Sequence, residues 1–241
     1  MSLPYFYEPH IQIPVHILSE ETSKHCIQVM RMKPGEQLQI TNGKGELFTA
    51  TIINADKKRC QVNLEDAFSG KSITGDLQTT RAKISIAMSL LKNPSRFEWF
   101  LEKAAEIGVS EITPLICEHT EKENFRFERM NNILISAMLQ SRQTRLCDLH
   151  QPEKFNRLIT QPYDGLKFIA HCADGKKQSL VEAVHKKDHT LVLIGPEGDF
   201  SATEVEAAIE RNFVAVSLGN TRLRSETAGI VASALLSGIL L

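Results

Sequence analysis

Two short loops near the C-terminal end hold the residues best suited to chemistry. The first is Gly195-Pro196-Glu197-Gly198-Asp199-Phe200, and the second is Gly219-Asn220-Thr221-Arg222-Leu223-Arg224-Ser225-Glu226. Two glycines allow the backbone of the first loop to approach a ligand where a Cβ would block it, and Pro196 stiffens the turn between them. A loop of this kind can wrap a flat ligand with its own N–H and C=O groups. It is not a phosphate cradle, since neither G-x-G-x-x-G nor G-K-[ST] is present. The second loop carries charge instead: Arg222, Arg224 and Glu226 offer permanent cations and a carboxylate. A turn beside an exposed ion pair is the other reading of the same residues.

These loops need elements to hold them. Leu191-Val192-Leu193-Ile194 and Val214 to Leu218 are short apolar runs that read as strands. Each ends in one of the loops, and each loop feeds a helix. Ser201 and Glu204 have the spacing of a reciprocal capping box. The second helix, Thr227 to Leu241, is apolar nearly all round and is expected to be buried in a core or against another subunit. In open α/β sheets ligands sit beyond the carboxyl ends of the strands, which is where both loops fall.

The same alternation runs through the chain before them. Lys83 to Leu90 alternates as a strand, and Ser95 with Glu98 reads as the cap of a helix. That helix has an apolar face of Phe97, Phe100, Leu101, Ala104 and Ala105 and is stopped by Gly108. Ile112 to Ile116 is the next strand, followed by a helical face of Met130, Ile133, Leu134, Ala137 and Met138. A strand over Lys167 to Cys172 and a short helix near Ser179 to Val184 come next. Strand, helix, strand in this order predicts a mainly parallel sheet covered by helices, an α/β fold.

Residues 1–70 read differently, as a small β-rich module. Gln37 to Ile40, Leu47 to Ile52 and Cys60 to Leu64 are strand-like, Asn42-Gly43 is a hairpin turn, and Ser23 to Met32 is a short helix. Ser69 to Asp76, rich in glycine and hydroxyls, reads as part of a linker over 71–80, with the second domain over 81–241.

Composition bounds the function. Net charge is −1, so any grip on nucleic acid must come from local basic patches and shape. Five scattered cysteines, never in C-x-x-C spacing, point to reduced thiols in a cytoplasm, without zinc or disulfides. No apolar run reaches the roughly 18 residues of a membrane span. The expectation is a cytoplasmic protein with no metal and no membrane partner.

Leu193 to Ser201, Val216-Ser217-Leu218-Gly219 and Leu223 to Ala228 together resemble the C-terminal signature of the RsmE family. These are bacterial 16S rRNA uridine-N3 methyltransferases of the SPOUT superfamily. Phe6-Tyr7, His25, Val29, Met30, Arg31 and Gly35 are similar to the family's N-terminal pattern, with Met30 where leucine is usual. Lys92, Glu102 to Val109, Pro114, Glu118 and Gln140-Ser141 match in the middle. Three departures lie there. His119 replaces an arginine, Leu139 to Gln143 lacks the usual acidic residue, and Cys147 stands in place of proline.

The resemblance implies a PUA-like β-barrel followed by a trefoil-knotted α/β domain. True knots are nearly absent among proteins, so that topology rests on the resemblance alone. It implies S-adenosylmethionine (SAM) as methyl donor, held by His171, Ile194, Gly195, Pro196, Glu197, Gly198, Leu218, Gly219, Leu223, Ser225 and Ala228, with Cys172 beside His171. It implies 16S rRNA or the small ribosomal subunit as partner, and a homodimer. Arg224 is the expected catalytic residue, because a planar, permanent cation can stabilise charge developing on an imide oxygen. Glu226 is expected to orient Arg224 or act as base, with Glu197 and water as alternatives. Arg31, Lys33, Lys92, Lys103 and Arg222 are expected RNA contacts, although Lys103 could instead pair with Glu106 across one helical turn. A SPOUT enzyme acting on another RNA, and a ribosome-assembly factor without catalysis, stay open.

Overall fold

A computed structural model describes residues 3–64, 82–184 and 188–240. The expected linker over 71–80 lies outside the described residues. Contacts divide the described chain into two units. One comprises residues 3–64 with Met138–Leu146, and the other comprises the remainder.

The N-terminal unit holds β1 (Tyr5–Tyr7), β2 (Val15–Ile17), α1 (Glu20–Lys24), β3 (Gln37–Thr41), β4 (Leu47–Asn54) and β5 (Gln61–Leu64). The strands form one sheet in the order β1-β3-β4-β5-β2, antiparallel except for the parallel pair β1–β3. Alternate residues point inward, so Leu38, Ile40, Phe48, Ala50, Ile52 and Val62 form the core with Phe6, Leu18, Cys26 and Cys60. Two expectations change. The helix starts at Glu20 rather than Ser23, because Ser19 caps it by accepting from the Thr22 amide, and it runs into a π-helical turn over His25–Val29. Arg31 then takes a left-handed backbone, φ 57°, which ends the helical run. The Asn42-Gly43 turn is a longer connection over 42–46, in which the Asn42 side chain accepts from the Lys44 and Glu46 amides. Leu146 from the later segment closes onto this connection, its amide donating to the Gly43 carbonyl at 2.8 Å.

The second unit begins with β6 (Ile84–Ser89), α2 (Pro94–Ile107), β7 (Glu111–Ile116) and α3 (Phe127–Gln140), of which the residues from Met138 on count with the first unit. Short pieces follow: β8 (Asp148–Leu149), β9 (Glu153–Lys154) and α4 (Phe155–Leu158). Then come β10 (Leu166–Ala170), β11 (Gln178–Ser179), α5 (Leu180–Ala183), β12 (Thr190–Ile194), α6 (Ala202–Glu210), β13 (Val214–Ser217) and α7 (Ser225–Leu240). All described pairings are parallel, in the order β11-β13-β10-β12-β6-β7-β8 with β9 also on β7. The β6 stretch alternates in sequence, yet every residue of β6 and β12 is buried. A central parallel strand is covered on both faces, so Ser85, Ala87 and Ser89 are enclosed as fully as Ile84, Ile86 and Met88.

Helix α2 buries the predicted face and stops at Gly108, which has φ 98°. Its cap differs from the expectation. Pro94 occupies the first helical position, so Asn93 caps by accepting from the Ser95 amide at 3.0 Å, and Glu98 is bound by Arg129 instead. Helix α7 packs on α2, β6 and β12. It is buried along one face, through Gly229, Ala232, Ser233, Leu236 and Leu240, while Ala234, Gly238 and Ile239 are exposed.

Candidate active site

Four parallel strands, β6, β10, β12 and β13, release their loops at the same sheet edge, and the loop after β12 is tied to its neighbours. Its entry is tight: a Cβ on Gly195 would lie 3.1 Å from the Phe200 amide nitrogen and 3.2 Å from the Phe200 ring. The Asp199 amide donates to the Pro196 carbonyl at 3.0 Å, which closes the turn. The predicted capping box then starts α6, with the Glu204 amide donating to Ser201 Oγ and the Ser201 amide to Glu204 Oε2. The other oxygen of Glu204 accepts from the Glu118 amide at 2.8 Å, so the buried cap also holds the segment after β7. The Lys92 amide, after β6, donates to Glu197 Oε1 at 3.2 Å.

Between this loop and the one after β13 lies a cavity of about 300 Å³. Ala170, Ile194, Leu223 and Ala228 supply apolar wall. Gly195 and Pro196 supply backbone, and Cys172 and Ser225 are also present. Two cations, Arg222 and Arg224, and two carboxylates, Glu197 and Asp199, complete the lining. Arg224 immediately precedes α7, its carbonyl accepting from the Ala228 amide at 2.8 Å. Its side chain therefore shares the cavity with the partly positive N-terminal end of a helix.

The structure gathers most, but not all, of the residues expected there. Ile194, Gly195, Pro196, Glu197, Leu223, Ser225 and Ala228 line the cavity with Arg224. Arg222, expected as an RNA contact, lines it as well. His171, Gly198, Leu218 and Gly219 are not in the lining. Gly198 packs beside His119. His171 is half-buried with Nδ1 unpartnered, and its carbonyl accepts from Lys177 Nζ at 2.9 Å. Burial, and then the Lys177 charge, push the imidazole pKa down.

Glu226 requires a correction. Successive residues on a helix point about 100° apart. Ser225 and Ala228 face the cavity, whereas the buried Glu226 carboxylate faces Arg96 of α2, with Nε 3.7 Å away. It is not among the residues that line the cavity. Among the basic residues expected at RNA, Lys103 is bound by Glu102 and Glu106, the pairing that the sequence left open. The Lys92 ammonium pairs with Glu121 at 2.8 Å, and Arg31 and Lys33 are exposed in the N-terminal unit. Sequence reasoning missed Asp199 and Ala170. The signal for Asp199 was an acidic residue directly after a glycine turn, which reads as an ordinary loop residue.

Among the described residues no group of three or more His, Cys, Asp or Glu side chains could hold a metal, and no helix is long and apolar enough to cross a membrane.

Comparison with known proteins gives the site its context. A structure described as "probable rRNA-methyltransferase from Porphyromonas gingivalis" is 36% identical, covers 99% of this chain and 98% of its own, and superposes with TM-score 0.89. A ribosomal RNA small subunit methyltransferase E from Neisseria gonorrhoeae, solved with SAM bound, is 26% identical over 98% of each chain, with TM-score 0.86. The Bacillus subtilis protein of the same name is 25% identical, covering 94% of this chain and 91% of that one. A family model described as RNA methyltransferase domain matches residues 78–237, and one described as RNA methyltransferase PUA domain matches 18–65. The RNA methyltransferase domain model alone spans more than half of the chain, and the overall fold is shared with the two solved structures: the chain belongs to the RNA methyltransferase family.

Proposed function

We propose that this protein methylates N3 of a uridine in 16S rRNA with SAM as donor. The observation that carries the reading is the cavity itself, which joins both loops, has apolar walls and backbone edges, and counts Arg224 in its lining. Its residues suit the donor. Ile194, Leu223 and Ala228 can cover the faces of an adenine, and backbone groups of Gly195 and Pro196 can pair with its edge. Glu197 sets negative charge near a cationic ligand. Bound SAM supplies an electrophilic methyl group, which needs no activation by the protein.

The remaining work belongs to side chains. The uridine has to leave its stack, and its N3 proton has to depart as charge spreads over the imide oxygens. Arg224, beside the N-terminal end of α7, can stabilise that charge. Glu197, at the cavity and exposed, is the better-placed carboxylate for the proton, with solvent as the alternative. Glu226 turned toward Arg96 argues against a role as base.

The N-terminal 1–70 region serves in this reading as the module that places rRNA, with Arg31 and Lys33 as phosphate contacts. The exposed Ala234, Gly238 and Ile239 of α7 support a homodimer, and the trefoil knot is kept as the topology of the 81–241 domain. Action on rRNA puts the protein in the cytoplasm.

The test is transfer of labelled methyl from SAM to 16S rRNA and to small subunits, followed by mass mapping. A label on N3 of one uridine supports the proposal. A label on another atom or RNA redirects it, and SAM binding without transfer to either substrate opposes it.

A further inference from the structure

Asp199 lines the cavity in a backbone conformation, φ 65°, that side-chain-bearing residues rarely adopt. Every polar group it offers is used. Its amide closes the Pro196 turn, and its carbonyl accepts from His119 Nδ1 at 3.0 Å. One carboxylate oxygen accepts from the Phe200 amide at 2.8 Å, and the other accepts from the Cys172 amide at 2.7 Å. Phe200 and Cys172 belong to different loops, following β12 and β10. One carboxylate therefore bonds two walls of the same cavity through two charge-assisted hydrogen bonds.

We infer that Asp199 is a positioning residue, a latch that holds the chain at Cys172 against the Gly195–Gly198 turn at the separation the donor requires. The inference rests on the donor reading of the cavity. Without the latch, the Cys172 amide, two residues past β10, loses its acceptor, and this wall keeps the Lys177 bond to the His171 carbonyl but no tie to the loop after β12 through Asp199. A ligand would then have to order that wall on binding, and affinity would fall. An aspartate is suited to the task because it tolerates the left-handed conformation and can accept from two amides at once.

The experiment uses Asp199→Asn and Asp199→Gly in the full chain. Asn keeps the size and the backbone preference but turns one acceptor into a donor, and Gly relieves the backbone while removing both bonds. Calorimetry with SAM and with S-adenosylhomocysteine, which lacks the sulfonium charge, is paired with hydrogen exchange at the Cys172 amide. A latch predicts faster Cys172 exchange in both variants and an affinity loss of about tenfold, equal for the two ligands and largest in Asp199→Gly. In turnover, KM for SAM should rise more than kcat falls. Unchanged exchange and affinity would overturn the latch, as would a loss confined to SAM, which would signify direct charge attraction. Wild-type protein that binds neither ligand would overturn the donor reading itself, whatever the exchange rates show.

Discussion

Helix α7 lives in two environments. Its first turn, with Arg224 before it and Ser225 and Ala228 within it, faces the cavity among charged side chains. Its body lies on α2 and β6, where Gly229 is so close to Phe100 that a Cβ would sit 2.7 Å from the ring and 3.0 Å from Met88 Sδ. In the proposed function the first turn carries groups that the reaction needs and the core does not. The body carries contacts that the fold needs and the reaction never touches. A single helix thus separates function from stability along its length, because only its N-terminal end presents free amides and partial positive charge.

That contrast can be broken by mutation. Phe100→Ala removes a fully buried ring at the α2–α7 contact and should cost about 3–5 kcal/mol of stability, read by denaturant melts. The protein that remains folded should bind SAM normally, and a selective loss of donor affinity would erase the distinction. Arg224→Ala should do the reverse. Loss of about 2.7–4 kcal/mol of transition-state stabilisation lowers methyl transfer roughly 100- to 1000-fold, while SAM affinity and melting temperature stay near wild type. Equal loss of binding and transfer would refute the division of roles. Gly229→Ala, four residues after Ser225, should again touch stability alone, by about 1–3 kcal/mol, because the Phe100 ring must move.

The smallest perturbation is chemical. Burial pushes the Cys26 and Cys117 thiols up to about 12 and Cys60 up to about 11, while Cys172 is exposed at the cavity. Only a thiolate alkylates readily, and its fraction grows as pH rises toward the thiol pKa. At pH 8 iodoacetamide should therefore modify Cys172 first, with SAM slowing the reaction. Mass spectrometry after digestion checks this, and early labelling of Cys117 would count against the packing described.

Much of the fold is legible in the order of the residues. The Ser201–Glu204 box, the stop at Gly108 and the buried face of α2 depend on residues within a few positions of one another, and all three are present. Local signals mislead where two compete. Ser95 and Glu98 have the spacing of a cap, but Asn93-Pro94 starts the helix first. In β6, alternation suggests one open face, yet a neighbour on each side and helices above and below enclose both. The two loops at the cavity were legible because glycine, proline and charge crowd into a few residues. Asp199 was not, since its partner amide at Cys172 lies in the loop after another strand, β10.

From sequence alone follow the α/β alternation, the two loops at strand ends, the helix that each one feeds and the cationic Arg224 between them. These rest on hydrogen bonds and side-chain periodicities that neighbouring residues satisfy among themselves. Only the tertiary structure decided that Glu226 turns to Arg96 while Ser225 and Ala228 meet the cavity, and that Arg222 joins the cavity lining. The rotation of α7 about its axis chooses among faces about 100° apart, and that rotation is set by where α2 and β6 accept its small residues.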